Sequence, residues 1–164
     1  GWDESGLGDA DALLVIGLRP VIRLERKHVE KTTKRIKVVI GKTGLDGHWR
    51  GVQAVATALR DAGMEVVYLG AVTAGGLVKT VIQEDADVVG LNIGASYEQV
   101  EELIRLLRIN EMEDVLVIGG GVIPLGDVPR LQEMGVHRVF PPGSKLRDIV
   151  RFVQERSRVS AGAA

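Results

Sequence analysis

Cysteine is absent from the 164 residues of this chain, which excludes disulfides and thiolate metal sites and is compatible with a reducing cytoplasm, the location expected here. Neither sign of charge prevails. Lys and Arg number 21 against 22 Asp and Glu, a net charge of −1, so nothing points to nucleic acid or an anionic membrane as a partner. No run approaches the ~18 apolar residues that span a bilayer, and no secretory signal is visible. Internal repeats and low-complexity tracts are also missing. What is abundant is glycine, 21 residues, well above the usual ~7%. Hydrophobic residues make up 45%, enough to bury the core of one full domain.

From residue 36 onward two periods alternate. Short β-branched runs at Ile36–Ile40, Val66–Leu69, Val88–Leu91, Val115–Ile118 and Val136–Phe140 predict strands. Between and after them lie helical stripes: Val52, Val55, Ala56 and Leu59; Leu77, Val78, Val81 and Ile82; Val100, Leu103, Ile104 and Leu107; Val128, Leu131 and Met134; Leu146, Ile149, Val150 and Val153. Strands that are apolar throughout, rather than at alternate positions, predict a parallel sheet covered on both faces. Right-handed crossovers then favour an α/β, flavodoxin-like, doubly wound five-stranded sheet of order 2-1-3-4-5. Ligands in such sheets sit beyond the strands' carboxyl ends, where the winding reverses. The loops there hold Asp46-Gly47-His48, Asn92-Ile93-Gly94 and Gly119-Gly120-Gly121. The glycine excess therefore lines one rim of one sheet.

Residues 1–35 stand outside this pattern and form an expected N-terminal arm or linker. Residues 36–156 are the expected domain, and 157–164 a tail.

The run Lys42-Thr43-Gly44-Leu45-Asp46-Gly47-His48-Trp49-Arg50-Gly51 carries the chemistry. A histidine at a loop's end holds a metal through one ring nitrogen, and an aspartate two residues earlier accepts from the other, fixing the tautomer. Gly51 clears room for a bulky group over the loop. The bland alternative is a helix-capping aspartate beside an exposed histidine. His28 and His137 lack ligand-spaced companions and carry no such reading. No Gly-x-Gly-x-x-Gly follows the first strand, which removes a dinucleotide-binding reading.

This stretch resembles the cobalamin-binding domain of the acyl-CoA mutases of methylmalonyl-CoA mutase type. That family has Lys-x-Gly-x-Asp-Gly-His-x-Arg-Gly after its first strand, matched here by Lys42, Gly44, Asp46, Gly47, His48, Arg50 and Gly51. The likeness continues through Gly120-Gly121-Val122-Ile123-Pro124 and Pro142-Gly143-Ser144. It implies that His48 is the lower cobalt ligand, oriented by Asp46, and that the displaced nucleotide tail threads into a slot against the sheet. Gly94, Gly120 and Gly121 would form the walls, because a planar group reaches backbone only where side chains are missing. Asn92 and Gly143 would contact the tail, and Ser144 would cap the last helix with some tail contact.

The implied protein is the small subunit, or a domain, of an adenosylcobalamin-dependent mutase, inactive alone. A separate large (β/α)8-barrel subunit would bind the acyl-CoA. Two departures stand out: Asn92-Ile93-Gly94 replaces the family's Ser-x-Leu, and Thr73-Ala74-Gly75-Gly76 replaces Thr-Pro-Glu-Glu. A corrinoid methyl carrier and a cobalamin sensor or storage module are the alternatives, the former normally needing a helical cap longer than residues 1–35 supply.

Overall fold

Strands with apolar residues at successive positions need cover on both faces, and here they have it. The structure is a computed structural model that describes residues 34–43, 49–94 and 96–157, with Trp49 described by its backbone alone. In chain order the elements are β1 (Lys37–Lys42), α1 (Trp49–Asp61), β2 (Glu65–Ala71), α2 (Ala74–Glu84), β3 (Val88–Asn92) and α3 (Glu98–Ile109). They continue with β4 (Leu116–Gly120), a 3-10 turn at Leu125–Asp127, α4 (Val128–Met134), β5 (Arg138–Phe140) and α5 (Leu146–Arg156). All strand pairs are parallel, in the order β2-β1-β3-β4-β5. This is the doubly wound order the sequence predicts. Contacts divide the chain into Gly1–Thr33 and Lys34–Ala164. The expected arm lies almost wholly outside the described residues, as do residues 158–164 of the expected tail.

Alternate residues of each strand feed two cores. Val39, Val89, Leu91 and Val117 pack with Leu77 and Val81 of α2, Leu103 of α3 and Leu131 of α4. Val38, Ile40, Val88, Leu116 and Ile118 pack with Ala56 and Leu59 of α1 and Ile149 and Val153 of α5. Each buried Val, Leu or Ile contributes ~1.5–3 kcal/mol over the exposed state. Ile82 departs from its predicted stripe and is 45% exposed, whereas Leu77, Val78 and Val81 of the same helix are buried.

Helix α2 starts at Ala74 despite the two glycines that follow. Thr73 Oγ1 accepts from the Gly76 N–H at 3.2 Å, and Gln99 Oε1 accepts from the Ala74 N–H at 2.8 Å. At the amino ends of the strands, Lys34 pairs with Asp85 at 2.9 Å and Asp87 at 3.6 Å. Lys37 pairs with Glu65 at 3.2 Å and Glu84 at 3.3 Å. The Glu65 carboxylate, with help from Glu84, holds the Lys37 amine above its ordinary pKa.

His137 lies just before β5 rather than inside it. Its N–H donates to Val117 O at 2.8 Å and its Nδ1 accepts from Val117 N–H at 3.0 Å. The ring extends the β4–β5 ladder by one side-chain bond.

Candidate functional site

Strand parity builds the site. Residues 40, 90, 118 and 120 share the face covered by α1 and α5, and two of them are glycine. A Cβ on Gly90 would lie 3.3 Å from Ile40 Cγ1 and 3.8 Å from Ile118 Cγ1. One on Gly120 would find Phe140 O at 3.4 Å as its nearest neighbour. With those side chains missing, a cavity of about 450 Å³ opens between the sheet and the two helices. Val52 and Val55 of α1 line one side, and Phe140, Leu146 and Ile149 another. Gly119 faces the opposite core, where a Cβ would meet Ile93 Cδ1 at 2.7 Å. Among the described residues, two polar side chains reach the slot, those of Asn92 and Ser144. Asn92 is only 6% exposed.

Two glycines are demanded by the backbone at the slot's mouth. Gly121 has φ +124°, and a Cβ there would collide with the Ile93 carbonyl oxygen. Gly143 has φ +86° within a turn closed by the Ser144 hydroxyl, which donates to Pro141 O at 2.6 Å.

Of the sequence-predicted residues, Gly51, Asn92, Gly120, Gly121, Gly143 and Ser144 all line this slot. Gly94 does not. It lines a neighbouring polar hollow with Tyr97, Glu101, Asp127 and Arg130, because Ile93 buries itself in the opposite core and carries the chain past the slot. Nor does Ser144 cap α5. The cap position is Lys145, without a side-chain bond, and the Ser144 hydroxyl closes the preceding turn onto Pro141 O.

Arg50 is exposed in the first turn of α1 and is not part of the slot lining. Asp46, Gly47 and His48 lie outside the described residues. Their flanks are described: the Thr43 N–H and Oγ1 both donate to Asn92 O at 3.3 Å, and α1 begins at Trp49 with Gly51 and Val52 on the slot.

Among the described residues no group of three or more His, Asp or Glu side chains is placed to hold a metal, and no helix is long and apolar enough to cross a membrane. Among the slot residues that sequence reasoning missed is Gly90, which forms the floor. A glycine inside the apolar run Val88–Leu91 is a signal of close backbone approach.

A profile of the B12 binding domain matches residues 36–150. The chain belongs to the B12-binding domain family. It is 41% identical over 128 residues to the 2-hydroxyisobutanoyl-CoA mutase small subunit of Aquincola tertiaricarbonis, spanning 74% of this chain and 94% of that one. To the pivalyl-CoA mutase small subunit of Xanthobacter autotrophicus Py2 it is 40% identical over 123 residues, spanning 74% and 83%. The crystal structure of a cobalamin-binding protein from Desulfitobacterium hafniense DCB-2 shares the fold at a TM-score of 0.65 and 25% identity, over 74% of this chain and 59% of that one.

The slot of this B12-binding domain fits the group its family name implies. A flat heteroaromatic tail needs a floor free of side chains, apolar walls and few polar contacts. Gly90 and Gly120, the α1 and α5 walls, and Asn92 are of those kinds.

Proposed function

We propose that this chain is the cobalamin-binding small subunit of an adenosylcobalamin-dependent acyl-CoA mutase. In this reading His48 would ligate cobalt, Asp46 would orient its ring, and the slot would take the nucleotide tail. Arg50 and Gly51, at the start of α1, border the corrin edge, and Gly143 and Ser144 border the tail. When bound, adenosylcobalamin supplies a cobalt–carbon bond that breaks homolytically. The chain's own residues bind, orient and shield. The single observation that carries the reading is the slot floored by Gly90 and Gly120 beside the start of α1, whose lining includes six of the residues expected to hold the cofactor.

A large (β/α)8-barrel partner would bind the acyl-CoA, a reading supported by the two relatives above being named small subunits. The two small subunits above carry different acyl groups in their names, which supports placing substrate choice in the partner. Nothing among the described residues favours a methyl carrier or a sensor.

The test is retention of cobalamin by the purified chain after free ligand is removed, beside His48→Ala. The wild type should keep cobalamin, with histidine ligation visible by electron paramagnetic resonance after nitrogen labelling. The variant should lose that signature. Equal retention and identical spectra would refute His48 as ligand.

A further inference from the structure

Helix starts in this fold would ordinarily use a short polar side chain to cap their free N–H groups, as Thr73 does for α2. Asp127 occupies the same position at α4 and makes no capping bond. Its Oδ2 instead accepts from the Tyr97 hydroxyl at 2.7 Å. Tyr97 is itself the first residue of α3's cap and likewise caps nothing. An aspartate cap is worth ~1 kcal/mol, so this geometry forgoes a local gain for a bond between two loops.

Those loops are the ones that carry the slot wall. Asn92 enters the β3–α3 loop that ends at Tyr97, and Gly120 and Gly121 enter the β4–α4 loop that ends at Asp127. Closer to the sheet the same loops meet once more, through Ile93 N–H to Gly120 O at 2.8 Å. The Gly121 backbone lies so near Ile93 that no Cβ fits between them. The Arg130 guanidinium sits 5.5 Å from the Tyr97 ring centroid and 4.0 Å from Glu101, which steadies the ring from α4. The carboxylate at its hydroxyl holds the Tyr97 phenol above its ordinary pKa, so the proton stays on the donor.

We propose that Tyr97 and Asp127 form a latch that sets the separation of the two loops beyond the paired Asn92 and Gly120, and thereby the position of the slot's rim at Gly121 and Val122. Both are positioning residues: neither lines the slot, and both act through the backbone of residues 92–94 and 120–122. The inference rests on the cobalamin reading only for what the slot holds.

The full chain is compared with Tyr97→Phe, which keeps the ring under Arg130 and removes the bond, and with Asp127→Asn, which keeps an acceptor. Hydrogen exchange reads the latch without any ligand. In Tyr97→Phe the Ile93 amide should exchange about tenfold faster, the scale of one lost hydrogen bond, while Val89 in mid-β3 is unchanged. Asp127→Asn should stay within about threefold of the wild type, since a neutral acceptor keeps most of a bond's net worth. Hydroxocobalamin added to the same three proteins should dissociate about tenfold faster from Tyr97→Phe alone. Unchanged Ile93 exchange in Tyr97→Phe, or a uniform rise at every amide, would overturn the latch. Failure of all three proteins to retain hydroxocobalamin would sink the cobalamin reading, and the exchange rates would still decide the latch.

Discussion

At Gly120 the missing side chain is the functional group. A Cβ there meets only Phe140 O at 3.4 Å, so the fold tolerates a larger residue while the slot does not. Gly120→Val should leave the melting temperature within a few degrees. Crowding of the kind that costs ~1–3 kcal/mol should weaken cobalamin binding roughly ten- to hundredfold, measured by equilibrium dialysis. Gly121→Val differs because its backbone conformation and the Ile93 carbonyl both forbid it. The sequence distinguishes poorly between such glycines. Gly120 and Gly121 look alike in a triplet, and only strand parity separates a glycine that clears a slot from one that permits a turn. Gly94 shows the same limit: its neighbour Ile93 turns inward, and a residue two places beyond a slot-lining Asn92 falls on another surface. Ser144 beside Gly143 resembles a cap in sequence, yet its hydroxyl closes the preceding turn.

Elements were easier to anticipate than site details, because apolar periodicity extends over many residues and tolerates local exceptions. All five strands and five helices fall where their stripes predict, with ends displaced by up to three residues. The start of α2 is one place where composition misleads. Gly75 and Gly76 look equally unfavourable for a helix, but a Cβ on Gly75 would have only Thr73 Oγ1 at 4.0 Å, whereas one on Gly76 would meet Val72 Cγ2 at 2.7 Å. Gly75→Ala should therefore stabilise the protein by ~0.8–1.0 kcal/mol, the helix-propensity difference. Gly76→Ala should lose that gain to the clash and come out neutral or destabilising. Urea denaturation of the two variants checks the difference. The Tyr97–Asp127 bond had no sequence signal at all, since partners 30 residues apart share no period.

For the whole molecule, the edge at β5 sets an acid limit on stability. Burial pushes the His137 pKa below its ordinary 6.5, with the Arg156 charge acting in the same direction. The Val117 N–H also occupies the Nδ1 lone pair that a second proton needs. The folded state thus binds fewer protons than the unfolded state, and stability rises with pH in that window. The contribution is complete above pH 6.5 and is lost as pH falls through the lower folded-state pKa. Urea midpoints between pH 7.5 and 5 should fall for the wild type and change less for His137→Asn, whose Oδ1 accepts the same N–H and does not titrate.

The slot also fixes how binding responds to temperature. Its walls are chiefly Val, Ile, Leu and Phe side chains with bare backbone below. A ligand part that enters takes apolar surface out of water on both sides, which lowers the heat capacity of the complex. Association enthalpy should therefore grow more favourable on warming while affinity changes little, a curvature that titration calorimetry at several temperatures would record. Ligation by a histidine alone would leave that slope nearly flat.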